Sequence, residues 1–362
     1  MTTTAGQGTT GAAEGHEDAR TAEGHEDARA AEGHDAGRAA AGHTTVRSVW
    51  WAAAIPGAEA PFDTAHLRVF YPSKPTGSDA ERLSGVFPAD PAQAPYPVAI
   101  IVSGVNVGQE AYRWLAVELA SRGYVAVTYD WVGELFGGLK GITPGVELAA
   151  AKPDAYGTRA TTPSVPAVIN ALREITGPVE GLLDLDNVAL IGHSAGGTVI
   201  LQSARFFPEV KAVAAYGTHT MVATMLGWPA GTVLPAQVDC PVLLMNGEND
   251  GVINGSADRY GEEAATRRDP ISRTFDEALP TADGANVQVT FAGANHFGIV
   301  HPVDDTAARA FLDLAATTDP AATRAALVDV TAAFLDTHLR GADSGALHKA
   351  LKNPDIAGMR RR

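Results

Sequence analysis

The chain has 362 residues, of which 45% are apolar and 19% charged, a composition typical of soluble globular proteins. Its formal net charge of −15 argues against binding to nucleic acid or to an anionic membrane surface. No run approaches the roughly 18 apolar residues of a membrane span. The single cysteine, Cys240, excludes an intramolecular disulfide, and no signal peptide is visible, so we expect a cytoplasmic protein.

Residues 1–45 form a separate, acidic zone of low complexity. Glu14–Arg20 (EGHEDAR) recurs as Glu23–Arg29 and then decays, so that a Gly-His step returns every nine residues. Apart from alanine the repeat is almost free of apolar residues, and we expect it to be disordered. A weak metal-binding tail would use the histidines of these steps, His16, His25, His34 and His43. Ligands nine residues apart on a flexible chain lack preorganised geometry, which favours a drifting duplication without function.

From residue 46 onward, strands and helices alternate. Short apolar, β-branched runs predict strands at 46–53, 66–71, 98–102, 124–129, 188–191, 210–216, 242–246 and 287–291. Helical patterns are found between and after them, notably at 110–122 and 323–339. Continuous apolar strands that alternate with helices predict an α/β fold with a mostly parallel sheet covered on both faces.

We therefore predict one α/β domain over 46–345, followed by a C-terminal tail over 346–362. Two segments interrupt the alternation, a Gly- and Pro-rich stretch at 131–163 and an insertion at 254–285. Either segment could cover a pocket or be a surface excursion, and for 131–163 we favour a lid.

The pentapeptide Gly192–Gly196 (GHSAG) lies between a predicted strand at 187–191 and a predicted helix that begins near 197. A Gly-x-Ser-x-Gly turn between a strand and a helix is typical of a nucleophile elbow. The turn is so sharp that glycines are needed two residues before and two after the serine. The turn also places Ser194 at a helix N-terminus, where free N–H groups favour a developing negative charge.

A serine hydroxyl is a weak nucleophile near neutral pH, so Ser194 needs a base, and that base needs an acid to orient it. Asp250 is our candidate acid, because it directly follows the strand 242–246 and is flanked by glycines that let the loop bend back. Glu248, two residues closer to the strand, is the alternative.

His296 is the candidate base, since it follows the strand 287–291 on a glycine-containing loop. The chain order serine, acid, histidine is the order expected for such an elbow. His301 lies further from the strand end, and His219 precedes the acid, which is the wrong order.

Two N–H groups are needed to stabilise the oxyanion of a tetrahedral intermediate. One is expected to be the backbone N–H of Ala195, directly after the serine. For the other we choose the N–H of Val105, in the loop after the strand 98–102, with Asn106 as the alternative. His193 is expected to pack behind the site and not to act as a second base.

These motifs resemble the α/β-hydrolase superfamily, and within it the dienelactone hydrolase, chlorophyllase and bacterial cutinase or polyester-hydrolase branch. Gly192–Gly197 (GHSAGG) is similar to the elbow of that branch, Asn246–Val252 (NGENDGV) to its acid loop, and Gly293–Phe297 (GANHF) to its histidine loop. Ser103–Val105 takes the place of its oxyanion loop, and Ala332–Gly341 is similar to its last helix.

The resemblance covers about residues 46–341 and implies a cofactor-free serine hydrolase that acts on a small carboxylic ester. In that reading Ser194 is the nucleophile, His296 the base and then the acid, and Asp250 the residue that orients His296. Val105 replaces an aromatic residue that often lines the cleft of polyester hydrolases, and both insertions look longer than in compact cutinases. A small enclosed ester pocket is therefore expected in place of a polymer cleft.

Other functions are also compatible with the sequence. The same triad could serve a thioesterase or an acyltransferase, and a hydrolase scaffold could also carry a non-catalytic binding protein. The oligomeric state is open as well.

Overall fold

The structure, a computed structural model, describes residues 44–261, 268–307 and 310–362. The predicted disorder of the N-terminal zone, residues 1–45, falls outside these residues except at its end, where Thr45 already belongs to the first strand. The metal-binding hypothesis for that zone falls outside them too, since it concerns His16, His25, His34 and His43.

Within the described residues all eight predicted strands are present. The strands are β1 (Thr45–Ala54), β2 (Thr64–Ser73), β3 (Tyr96–Val102), β4 (Val125–Asp130), β5 (Val132–Glu134), β6 (Lys140–Ile142), β7 (Leu183–His193), β8 (Val210–Tyr216), β9 (Val242–Gly247), β10 (Val287–Phe291) and β11 (Ile356–Arg361). Of these, β5, β6 and β11 are strands that the sequence analysis did not predict. The α-helices are α1 (Asp79–Ser84), α2 (Arg113–Ser121), α3 (Ser164–Arg173), α4 (Ala195–Leu201), α5 (Gly251–Gly255), α6 (Pro270–Arg273), α7 (Pro320–Leu339) and α8 (Gly345–Ala350).

The central element is a nine-stranded sheet in the order β1-β2-β4-β3-β7-β8-β9-β10-β11. From β4 to β10 in this order every neighbouring pair is parallel, whereas β1, β2 and β11 pair antiparallel at the two edges. The prediction of a mostly parallel sheet is confirmed. All the parallel strands end at one edge of the sheet, which is where sites collect in such folds.

Strand β3 illustrates how both faces of the sheet are covered. Val98, Ile100 and Val102 belong to the apolar cluster that contains residues of α3 and α4. Ala99 and Ile101 belong to the cluster on the other face, with residues of α2 and α7. Burying a large aliphatic side chain contributes about 1.5–3 kcal/mol, so each face of such a strand is stabilised by its helices.

The expectation of a C-terminal tail over 346–362 is corrected by the structure. These residues include most of helix α8 and the edge strand β11, which pairs antiparallel with β10 so that Arg361 lies opposite Val287. The sequence IAGMRR does not alternate between apolar and polar residues. None of its side chains is fully buried, and the strand is held by backbone pairing. Arg360 adds an ion pair with Asp276, with Nη2 3.0 Å from Oδ1.

The two interrupting segments have structure of their own. In 131–163, β5 and β6 form a two-stranded antiparallel sheet, and a 3₁₀ turn follows at Leu148–Ala151. In 254–285, the described part contains a 3₁₀ turn at Ala257–Tyr260 and helix α6. The movement of 131–163 as a lid stays a prediction.

No helix in the described ranges combines the length and the apolar character that crossing a membrane requires.

Deleting residues 355–362 is expected to destabilise the domain. The deletion removes β11 and leaves the edge of β10 without its hydrogen-bond partners. With net contributions of about 1 kcal/mol for each hydrogen bond, the free energy of unfolding should fall by about 2–4 kcal/mol, measured by urea denaturation. Arg361→Ala is the control, since it keeps the backbone pairing and should change stability by less than about 0.5 kcal/mol. An unchanged unfolding midpoint in the truncated protein would contradict the structural role of β11.

Candidate active site

Ser194 lies between β7 and α4 with φ 53° and ψ −122°, a conformation that side-chain-bearing residues rarely adopt. Its N–H donates to the carbonyl oxygen of Tyr216 at the end of β8 (N to O, 3.0 Å), and its own carbonyl accepts from the N–H of Thr198 (3.0 Å). The predicted strand–turn–helix arrangement around Ser194 is therefore present.

The glycines of the elbow are required by close backbone contacts. A Cβ at Gly192 would lie 2.6 Å from the backbone nitrogen of Gly197, and one at Gly196 would lie 2.5 Å from the carbonyl oxygen of Ser103. Real Cβ atoms do not approach other atoms this closely. The elbow can form only because these positions lack a side chain.

Asp250 and His296 form a buried pair. Nδ1 of His296 lies 3.1 Å from Oδ1 and 3.0 Å from Oδ2 of Asp250, and each residue is 2% exposed. Oδ1 of Asp250 also accepts the N–H of Ile253 at 2.9 Å, which fixes the carboxylate at the start of α5. Since a carboxylate only accepts, Nδ1 of His296 donates to it and Nε2 is left for other partners.

Glu248, the alternative acid, has a different contact. Its carboxylate accepts the N–H of Gly293 at 3.0 Å and so supports the backbone of the histidine loop, three residues before His296. Among the described residues its carboxylate has no contact with an imidazole. The geometry favours Asp250 over Glu248 as the partner of His296.

The loop after β3 distinguishes the two candidates for the second oxyanion donor. The N–H of Asn106 donates to the carbonyl oxygen of Ile142 in β6 at 2.8 Å, and so it is occupied. The N–H of Val105 has no acceptor among the described residues. Ala195 is the first residue of α4, where a helical N–H has no acceptor within the helix. The geometry thus favours Val105 and Ala195 as available donors.

His193 is buried behind the site and links three loops. Its Nε2 lies 3.1 Å from the carbonyl oxygen of His296, which can only accept, so Nε2 carries the proton. Nδ1 then accepts the O–H of Tyr112 at 2.8 Å, and the Tyr112 oxygen accepts the N–H of Gly104 at 3.1 Å. Burial, followed by the charge of His296, lowers the pKa of His193 well below 6.5. The neutral ring connects the elbow to the loop after β3 and to the histidine loop.

Asp313 is a further residue of the site that sequence reasoning missed. Its Oδ1 accepts the N–H of Gly251 at 3.0 Å and that of His296 at 3.2 Å, while Oδ2 accepts the N–H of Phe297 at 3.3 Å. Burial raises the pKa of Asp313 above its usual value, and the hydrogen bonds from the N–H groups of His296 and Gly251 only partly oppose this effect. The carboxylate joins the acid loop to the histidine loop. No local motif marks it, because it lies in an irregular segment before α7.

A cavity of about 380 Å³ lies beside Ser194 and His296. A volume of this size suits a small-molecule ligand. Val105 and Ala195 also line the cavity, and most of its remaining wall is apolar. His301 is exposed and lies outside this wall, whereas His219 is part of it. Both interrupting segments contribute to the wall, through Val146, Leu148, Ala151, Ser256, Arg259 and Tyr260.

The sheet, the elbow at the end of β7 and the helices on both faces define an α/β-hydrolase fold. The family model of the dienelactone hydrolase family matches residues 85–296, more than half of the chain, and the chain belongs to that family. Ser194, Asp250 and His296 all lie within the matched region.

A bis(hydroxyethyl) terephthalate hydrolase of Streptomyces coelicolor is 23% identical over 168 residues. The aligned region spans 46% of this chain and 44% of that protein, less than half of the relative's length. The family and this relative together support a hydrolase activity.

Asp313→Ala is expected to slow hydrolysis and to affect substrate binding less. The substitution removes the three hydrogen bonds that Asp313 accepts from the acid and histidine loops, which lets the His296 loop shift. Small displacements of catalytic groups lower rates by up to about 100-fold. We expect kcat for ester hydrolysis to fall by about 10–100-fold with a smaller change in KM. Asp305→Ala, an exposed carboxylate in the same segment, is the matched control. Equal kcat values for Asp313→Ala and the wild type would rule out this positioning role.

The protein should lose stability as the pH falls from about 6.5 to 4. Burial lowers the pKa of His219 to about 4 and that of His193 well below 6.5, so both are neutral when folded. At these two histidines the unfolded state binds more protons in this window, so their contribution to the free energy of unfolding decreases as the pH falls. His219 alone should account for about 2 kcal/mol near pH 4.5.

Urea unfolding near pH 7 and near pH 4.5 measures this loss. His219→Asn should reduce the difference between the two pH values by about 2 kcal/mol. His348→Asn, on the exposed face of α8, should leave the difference as it is in the wild type. The same pH dependence in the wild type and in His219→Asn would refute the assignment of a neutral His219.

Proposed function

We propose that the protein hydrolyses small carboxylic esters through an acyl-enzyme formed on Ser194, with no cofactor. The observation that carries the proposal is the buried Asp250–His296 pair, with Nδ1 of His296 within 3.1 Å of both carboxylate oxygens, at the same cavity as Ser194. A binding protein has no need of this combination.

In the proposed reaction, Asp250 holds the Nδ1–H of His296 and so leaves the lone pair on Nε2 as the base. Nε2 takes the proton of the Ser194 hydroxyl as Oγ attacks the ester carbon. The resulting oxyanion accepts hydrogen bonds from the N–H groups of Ala195 and Val105. The Asp250 carboxylate lies beside the imidazolium that forms and stabilises its positive charge.

The tetrahedral intermediate collapses when the C–O bond to the alcohol breaks. His296 gives the proton from Nε2 to the departing alkoxide, which leaves as the alcohol, and Ser194 keeps the acyl group. A water molecule then repeats the sequence. Its proton passes to His296, its oxygen attacks the acyl carbon, and the proton returns to Oγ of Ser194 as the acid is released.

The size and the character of the cavity support a small and mostly apolar substrate. A volume of about 380 Å³ accommodates a compact ester, and residues of both interrupting segments form its walls. The relative from Streptomyces coelicolor is a hydrolase of bis(hydroxyethyl) terephthalate, which is itself a small ester. We therefore propose a small ester, and not a polymer, as the substrate of this chain.

Ser194→Ala is expected to abolish hydrolysis of short p-nitrophenyl esters. Without Oγ no acyl-enzyme forms, and kcat should fall by about 10⁴-fold or more. A fluorophosphonate probe should label the wild type at Ser194, as located by mass spectrometry, and should not label the variant. Ser121→Ala, on α2 and outside the cavity wall, is the control. Hydrolysis at the wild-type rate by Ser194→Ala would overturn the proposal.

The same assay separates hydrolysis of oxygen esters from the other reactions that this triad could perform. Matched oxygen esters and thioesters with one acyl group are compared, with and without an alcohol acceptor. A higher kcat/KM for thioesters, or transfer of the acyl group to the alcohol, would replace ester hydrolysis as the assigned reaction.

A further inference from the structure

The loop that follows β8 packs against the imidazole of His296. Gly217 has φ +59°, and a Cβ at this position would lie 2.9 Å from Nδ1 of His296. Two residues later, His219 forms part of the wall of the cavity that holds Ser194. This histidine therefore lies next to the candidate catalytic residues, although the proposed reaction does not use it.

The hydrogen bonds of His219 fix the position of its proton. The backbone N–H of Met221 donates to Nδ1 at 3.1 Å, so Nδ1 carries the lone pair and Nε2 carries the hydrogen. Burial lowers the pKa of His219 to about 4, and the ring is neutral at neutral pH. The ring is thus a fixed hydrogen-bond donor and not a second base.

The Nε2–H group has no protein acceptor among the described residues, although His219 is only 6% exposed. The Nε2 atom is not fully enclosed, and it keeps access to the cavity whose wall His219 helps to form. The Tyr260 ring meets the imidazole edge to face, with centroids 4.8 Å apart. The Nε2–H group is therefore available to a ligand in the cavity that supplies an oxygen as acceptor.

The backbone around His219 is held on two sides, which keeps the donor in place. Oγ1 of Thr198 in α4 donates to the carbonyl oxygen of His219 at 3.1 Å. The N–H of Thr220 donates to Oγ1 of Thr274 at 2.9 Å. Met221 and Val222, which follow His219 closely in the sequence and also line the cavity, are apolar.

We propose that the Nε2–H of His219 binds a second carbonyl oxygen of the substrate, so that the preferred substrate is a compact diester or keto ester. The inference rests on the proposed ester hydrolysis and narrows its substrate class. An apolar chain between the two carbonyl groups suits a cavity whose wall is mostly apolar.

Pairs of substrates that differ in the second carbonyl provide the test. Dimethyl succinate, glutarate and adipate are compared with methyl hexanoate, heptanoate and octanoate, in which an alkyl chain of equal length replaces the second ester. For the best-fitting pair we expect wild-type kcat/KM to favour the diester by about tenfold, equivalent to about 1.4 kcal/mol. The ratio is compared between variants, which cancels the intrinsic reactivity of each ester.

Two substitutions separate the donor from the structural role of the ring. In His219→Asn, Oδ1 can take the place of Nδ1 as the acceptor for Met221, but nothing replaces Nε2–H. In His219→Gln, the amide nitrogen can reach the position of Nε2. We expect the diester preference to disappear in the asparagine variant and to be retained in the glutamine variant. His338→Asn, on α7 and away from the cavity, is the control and should keep the preference.

Binding to Ser194→Ala, measured by calorimetry, gives a second readout that needs no turnover. The diester should bind about tenfold more tightly than its isostere, and adding His219→Asn should remove the difference. If Ser194-dependent hydrolysis occurs but the preference is absent or survives in His219→Asn, this inference is wrong and the proposed function stands. If the wild type hydrolyses no ester while the His219-dependent binding difference remains, the proposed function is wrong and the donor assignment stands.

Discussion

The strained backbone of Ser194 is the constraint on which the rest of the site depends. A residue with φ 53° and ψ −122° costs on the order of 1–3 kcal/mol and persists only where its surroundings hold it. Here the carbonyl oxygen of Tyr216 in β8 accepts a hydrogen bond from the N–H of Ser194. The backbone at the end of β3 also packs so closely on Gly196 that no side chain fits there. The neighbouring strands therefore stabilise the turn, and the position of the nucleophile is a property of the sheet.

The same dependence extends to the other loops. The ends of β3, β7, β8, β9 and β10 meet at one edge because these strands are parallel, and each is followed by a residue of the candidate site. Side chains then join these loops pairwise. His193 connects the elbow to the histidine loop, Asp313 connects the acid loop to the histidine loop, and Glu248 supports Gly293. The geometry of His296 is thus determined from several directions at once.

The sequence predicts those parts of the fold and site that have a local signal. The apolar strands, and the loops that carry Ser194, Asp250 and His296, can each be recognised from a few neighbouring residues. The mostly parallel sheet then follows from the alternation of strands and helices. Asp313 is not predictable in this way, because its role arises from backbone groups that are distant in the sequence. Strand β11 lacks apolar alternation, since backbone pairing holds it. The sequence also left Val105 and Asn106 as alternatives, which only the contact with Ile142 distinguishes.

The bridge that Asp313 forms has a consequence for folding. The segment that carries Asp313 follows β10, yet it holds backbone groups of Gly251 and His296 that belong to two different loops. The carboxylate can accept from both groups only when the acid loop and the histidine loop have reached their final positions. A partly folded state with a complete sheet but an undocked Asp313 segment would keep its secondary-structure spectrum and lose the hydrogen bond that holds the backbone of His296. If the protein is the hydrolase proposed above, recovery of turnover during refolding would therefore depend on the docking of this segment as well as on the formation of the sheet.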